Sequence, residues 1–176
     1  MRFWILLAFS LIPDLAIGSD GVEVVTTTKT NASGSIVVKE VFIRNGQTNL
    51  VRTTQTSSGV LAIRIHQVYQ NGNRLALLTG LPDSGSVTTE AGSPYSINLE
   101  YGASGVLRYV TVADTNGIVR DAFRCTNGVL SPVGSSELAD ATQIGAAAKE
   151  LVNSRKDSPE QFHRKLDEVR KKYGEK

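Results

Sequence analysis

Short runs rich in Val, Ile, Leu and Thr recur along the chain, and glycines punctuate them. Gly21, Gly34, Gly46, Gly59, Gly72 and Gly85 stand 13, 12, 13, 13 and 13 residues apart, and the spacing returns at Gly105, Gly117 and Gly128. The clearest unit runs from Gly59 to Gly72: a turn, a strand-like run from Val60 to Tyr69, and the next turn at Asn71-Gly72. Turn signals spaced at roughly 8–12 residues mark an all-β protein, and the period here is only slightly longer.

The pattern predicts strands over 22–28, 36–43, 48–56, 60–69 and 75–79. Asn45-Gly46 and Asn71-Gly72 are hairpin signals, because both residues tolerate the positive φ that a type I′ turn demands. Asn31-Ala-Ser-Gly34 and Ser57-Ser-Gly59 supply two more turns, and Leu81-Pro-Asp-Ser-Gly85 a longer one. Residues 86–94 are polar and carry Gly92 and Pro94, which suits a short edge strand or a loop. From Tyr95 to Tyr101 the chain alternates Tyr, Ile, Leu, Tyr against Ser, Asn, Glu, a two-residue period that predicts a strand with one wet face. Strands over 106–112, 118–125 and 129–133 follow, the last two joined at Asn127-Gly128. The Tyr69–Leu75 phrase resembles the tyrosine-x-asparagine-glycine phrases of bacterial MORN-like hairpin arrays. It is not repeated in register, since Phe42 is offset from Tyr69, and hairpin chemistry alone gives the same letters.

Nine or ten short strands in series, with no helical pattern between them, predict a mainly β antiparallel meander. Such a meander must bury its apolar face, as a barrel, a sandwich or a curved sheet. Composition shifts near Gly134. Ser135 or Ser136 can cap a helix, and Leu138, Ala141, Ile144, Ala148, Leu151 and Val152 repeat at helical spacing. Ser158-Pro159-Glu160-Gln161 reads as the cap, first-turn proline and capping-box residue of a second helix. Its apolar stripe is narrow: Phe162, Leu166, Val169 and Tyr173. The predicted organisation is therefore 1–18 leader, 19–134 β-meander and 135–176 C-terminal helical hairpin or tail.

The leader is read from Arg2, the apolar run Phe3 to Ile12, and the small-x-small sequence Ala16-Ile17-Gly18, with cleavage expected after Gly18. The run is too short to span a bilayer as a helix, so the expectation is a secreted or periplasmic chain with no integral membrane segment after cleavage. One cysteine, Cys125, excludes an internal disulfide, and its place in the strand pattern, alternating with Phe123 and Val119, suits a small buried side chain. A net charge of +2 argues against nucleic acid as a partner.

The chain carries no nucleophile elbow, dinucleotide fingerprint or phosphate loop. With His66 and His163 the only histidines, no His/Cys zinc set can form, and no catalytic, metal or cofactor residue is expected. His66, beside Arg64 and Val68 on one strand face, reads as a solvated or interface residue. Glu40, Glu100, Asp114 and Asp121 are scattered carboxylates that only the fold could bring together. The strands carry Arg rather than Lys, and Arg pairs with carboxylates and stacks on rings. Arg64, Arg74 and Arg108 with Tyr69, Tyr101 and Tyr109 are thus candidate partner-binding residues. The helix stripe of Phe162, Leu166, Val169 and Tyr173 is a second candidate, on a tail with nine basic and six acidic side chains from Lys149 onward. The leading expectation is a secreted or cell-envelope binding module, without catalysis, that presents a β-sheet surface to a protein, peptide or glycan. The alternatives are a closed β-barrel carrying a small apolar ligand and a hydrolase whose acidic residues converge only in the fold.

Overall fold

The computed structural model describes residues 14–17, 21–80, 85–102, 104–154 and 158–173. The chain is mainly β, with two antiparallel sheets followed by two C-terminal helices. Neither sheet closes on itself, so the barrel option is corrected to two open sheets. The leader's apolar run and its cleavage point lie outside the described residues, as does most of the turn after Gly80.

The chain divides into two compact units. One holds the residues up to Glu90 together with Asn127–Leu130; the other holds Ala91–Thr126 and everything from Ser131 on.

The sheet of the first unit is a meander in sequence order. Its strands are β2 (Val22–Thr30), β3 (Ile36–Arg44), β4 (Gln47–Ser57), β5 (Val60–Gln70), β6 (Asn73–Thr79) and β7 (Ser86–Thr89), with the short β1 (Asp14–Ile17) on the β2 edge. The two-residue turns form as the glycine spacing predicts: Asn45 and Gly46 have φ of 53° and 73°, and Asn71 and Gly72 of 51° and 77°. The polar stretch from Ser86 resolves into the edge strand β7 and a tight turn in which Gly92 has φ of 77°. Gly92 therefore carries the same conformational demand as Gly72, and neither position crowds an added Cβ. We expect Gly72→Val and Gly92→Val each to cost about 1 kcal/mol or more, because a β-branched residue is strained at positive φ. A chemical-denaturation midpoint for each variant checks this, and a cost confined to Gly72 would show that the Gly92 turn is not formed.

Bulges decide which side chains share a face. The β3–β4 register shifts between Phe42 and Ile43, the β4–β5 register between Gln55 and Thr56, and the β5–β6 register between Val68 and Tyr69. Each extra residue restores the alternation that the turn alone would set one step off. The result is a cross-strand row of Phe42, Leu50, Val68 and Ala76, with Leu50, Val68 and Ala76 fully buried.

The second unit contains β8 (Tyr95–Tyr101), β9 (Leu107–Asp114), β10 (Val119–Thr126), α1 (Ser135–Asn153) and α2 (Pro159–Tyr173). Strand β11 (Val129–Pro132) joins this sheet in the order β11-β10-β9-β8, with its Val129 and Leu130 counted in the first unit and its Ser131 and Pro132 in the second. Val110, Val112 and Phe123 are fully buried on one face. A bulge between Val119 and Asp121 moves Val119 to the other face, opposite Ala113. Val119 therefore does not alternate with Phe123 as the sequence suggested, and Cys125 is only half-buried.

Helix α1 begins one residue earlier than its serines imply. Gly134 is the N-cap, and no side chain caps the helix. In α2 the expected cap is present: the Gln161 N–H donates to the Ser158 hydroxyl at 3.4 Å, with Pro159 opening the helix.

Candidate functional site

The second unit holds a cleft of about 590 Å³ between α1 and the face of β8 and β9 that carries Asn98, Tyr109 and Thr111. Small residues let α1 sit low on β10. A Cβ at Gly145 would stand 3.0 Å from a methyl of Val119. The Thr142 hydroxyl lies 3.1 Å from the Val119 carbonyl and 2.8 Å from that of Leu138. Arg124 of β10 donates to both carboxylate oxygens of Glu137 at 2.7 Å, and the Lys149 ammonium donates to the Asn116 carbonyl. The Glu137 and Tyr109 oxygens hold the Arg124 guanidinium above its ordinary pKa.

These contacts seat α1 over β10, while the neighbouring strands keep an open face. Ser96, Asn98 and Glu100 of β8 and Tyr109, Thr111 and Ala113 of β9 form the cleft floor. Ala141, Ile144 and Val152 form an apolar wall, and Ile144 and Val152 are 45% and 56% exposed. Glu100, Glu137 and Asp140 bring three carboxylates to the lining. Arg124 neutralises Glu137, so Glu100 and Asp140, against the one Lys149 ammonium, leave the cleft negative.

The candidate Arg and Tyr residues are spread over both units. Arg64, Tyr69 and Arg74 lie on the first sheet; Tyr101, Arg108 and Tyr109 lie on the second. Tyr69 faces Arg74 across β5 and β6, and Arg74 is tied to Glu90 at 2.5 Å on the surface. Arg64 points to the opposite face of β5 by simple alternation. A bulge at Arg108 leaves Tyr101 opposite Leu107, so Tyr101 and Tyr109 occupy different faces. Of the six, only Tyr109 lines the cleft.

In α2, Phe162, Leu166 and Val169 are half-buried, and the helix packs against α1; the Tyr173 side chain lies outside the described residues. Because α2 touches α1 through so narrow a stripe, a chain ended after Asn153 should keep a cooperative melt with a loss of only about 1–2 kcal/mol, less than one fully buried large side chain. Loss of cooperative unfolding in that shortened chain would show that α2 belongs to the core.

The arrangement that sequence reasoning missed lies in the first unit. Glu40, Arg52 and His66 stand side by side on β3, β4 and β5. Arg52 grips Glu40 through two hydrogen bonds of 2.6 Å and stacks over the Phe42 ring at 5.0 Å. Its guanidinium also donates to the Leu130 carbonyl at 3.1 Å, while the Leu130 N–H donates to His66 Nε2 at 3.1 Å. Two side chains thus satisfy both backbone groups of one buried residue. His66 is not solvated, as its strand position suggested: it is 1% exposed, and burial, with Arg52 and Arg64 adding to it, lowers its pKa from 6.5 to about 4. The neutral ring accepts at Nε2, and its Nδ1 has no hydrogen-bond partner among the described residues.

Comparison of the chain with protein-family models, curated proteins and solved structures gives no significant match.

Proposed function

We propose that the protein is an exported, non-enzymatic binding module whose second unit takes an extended peptide segment bearing aliphatic and basic side chains. The observation that carries this reading is the cleft beside α1. Its volume lies in the range of small-ligand sites, and its floor is a strand pair, which suits an extended occupant. The exposed Ile144 and Val152 wall favours aliphatic side chains. Glu137 is offset by Arg124, and Glu100 and Asp140 together outweigh the single Lys149 ammonium of the lining, which favours cations. A flat sugar ring would want an open aromatic platform, and the half-buried Tyr109 hydroxyl is held by Arg124. Export is supported by the Arg2 and Phe3–Ile12 pattern. The closed barrel on which a small-ligand carrier would depend is not part of this fold.

Titration with short synthetic peptides tests the reading. A peptide of alternating Leu and Lys should bind and shift the amide resonances of Ser96, Asn98 and Ile144. A peptide of alternating Leu and Glu should not, and the paired substitutions Glu100→Lys and Asp140→Lys should reverse the preference. Equal binding of both peptides, or shifts confined to residues away from the cleft, would reject it.

A further inference from the structure

The first sheet has an end unlike the rest of the molecule. Strand β5 pairs with β4 from Val60 onward, but with β6 only from Ile65 to Gln70. The β2–β3 and β4–β5 hairpins therefore reach past β6 by the length of Val60–Arg64, about 16 Å at strand rise. Val60, Leu61, Ile63 and Ile36 are 69%, 48%, 42% and 40% exposed. They make up half of the eight exposed large apolar side chains among the described residues. Scattered singly such residues need no explanation, but a cluster marks a surface that meets something.

Register places these side chains on both faces of the sheet. Ile36 and Leu61 flank Thr56 on one face, whereas Ile63 lies opposite Gln55 on the other, in line with Val37 and Lys29. A protein partner docking on a sheet would need one apolar face. Apolar groups on both faces of a projecting tip suit immersion instead.

The charges agree. Among the described residues Lys29, Arg64 and Lys39 are the charged side chains of this end, and no carboxylate occurs from Val24 to Lys39 or from Thr53 to Leu78. They stand one, two and three residues behind the row of Ile36 and Leu61, or about 3–10 Å along the strands. Peripheral elements sink by about 5–10 Å into the headgroup boundary, so aliphatic tips at that depth put these cations level with lipid phosphates. A second copy of the chain would bring like charge against like charge.

We propose that this end of the first sheet is a peripheral docking surface for an anionic lipid bilayer, with Ile36, Val60, Leu61 and Ile63 entering the boundary and Lys29, Arg64 and Lys39 meeting lipid phosphates. It shares no residue with the cleft and stands or falls separately from the peptide-binding reading. It involves no spanning segment, and no described helix is long and apolar enough to cross a membrane.

Co-sedimentation of the full chain with vesicles tests it. Binding is expected to vesicles of phosphatidylcholine mixed with phosphatidylglycerol, to weaken steeply with added salt, and to be marginal with phosphatidylcholine alone. Leu61→Asp and Val60→Asp should each lower the partition coefficient at least about tenfold, with the melting temperature unchanged because both positions are exposed. Lys29→Gln and Arg64→Gln should each lower it about fivefold. Failure to bind the anionic vesicles, or binding that these variants leave intact, overturns the proposal. So does a soluble dimer that Leu61→Asp dissociates while vesicle binding is absent.

Discussion

Arg52→Met is expected to lower the unfolding free energy by about 3 kcal/mol, the largest single-residue loss outside the apolar core. Arg52 and Glu40 are 14% and 21% exposed, so their pairing escapes most of the screening that weakens surface ion pairs. Removing one partner of a shielded pair leaves the other charge with a desolvation cost, on the order of 3–5 kcal/mol in full burial; partial exposure brings the estimate to the lower end. The substitution also takes the donor from the Leu130 carbonyl and the cation from the Phe42 face. Methionine keeps an apolar stem, so the loss reports the polar contacts rather than a cavity. Arg74→Met provides the contrast. That pair is 44% and 46% exposed, and its loss should cost about 0.5 kcal/mol or less. Adding Glu40→Gln to Arg52→Met should recover part of the loss, because the stranded carboxylate is then removed. Equal denaturation midpoints for Arg52→Met and Arg74→Met would refute the assignment of Arg52 as the hub of the first sheet.

The second large effect is a loss of stability in mild acid. The His66 pKa is about 4 in the folded chain and near 6.5 when unfolded. A depressed folded value means that the unfolded chain takes up the proton first. The contribution is fully present above about pH 6.5 and is lost as pH falls through about 4. The span corresponds to roughly 3 kcal/mol. Its cause is geometric: protonated Nε2 can no longer accept the Leu130 N–H, and the new charge would sit buried beside Arg52 and Arg64, with Glu40 already committed to Arg52. His66→Gln keeps an acceptor for Leu130 but does not titrate. We expect its stability curve to be flat between pH 6.5 and 4, where the natural chain loses stability. Asp114 acts in a lower window. Desolvation raises its pKa, but hydrogen bonds from Arg120, Ile118 and Asn116 outweigh that and hold the carboxyl below 3.8. Parallel pH dependences for the natural chain and His66→Gln would show that His66 is not the group responsible.

Much of the fold was legible in the chain because hairpins are local. Asn-Gly pairs fix positive φ at two adjacent residues, and a two-residue turn leaves the flanking strands no partner but each other. The antiparallel order of the strands and the Ser158-Pro159 start of α2 follow from such local chemistry, whereas the polar stretch from Ser86 suited an edge strand or a loop equally. The helical spacing of Leu138, Ala141, Ile144, Leu151 and Val152 likewise announced α1.

What the sequence could not decide was which residues face one another, because that depends on bulges. Counting out from the Asn45-Gly46 turn places Glu40 opposite Val51, and the shift between Phe42 and Ile43 moves it opposite Arg52. The same kind of shift put Val119 under α1 instead of beside Phe123, and separated Tyr101 from Tyr109. No local rule forces a bulge to one position; it settles where the apolar rows on adjacent strands come into line. His66 was misread for a related reason. Its flanking residues suit a wet strand, and only the return of the chain at Leu130, far along the sequence, buries it. Nor could spacing reveal the cleft, which exists because α1 settles over β10 and leaves β8 and β9 open. Local chemistry along the chain sets the strands and their turns; the faces, and with them every site, follow from register and from what returns to cover each face.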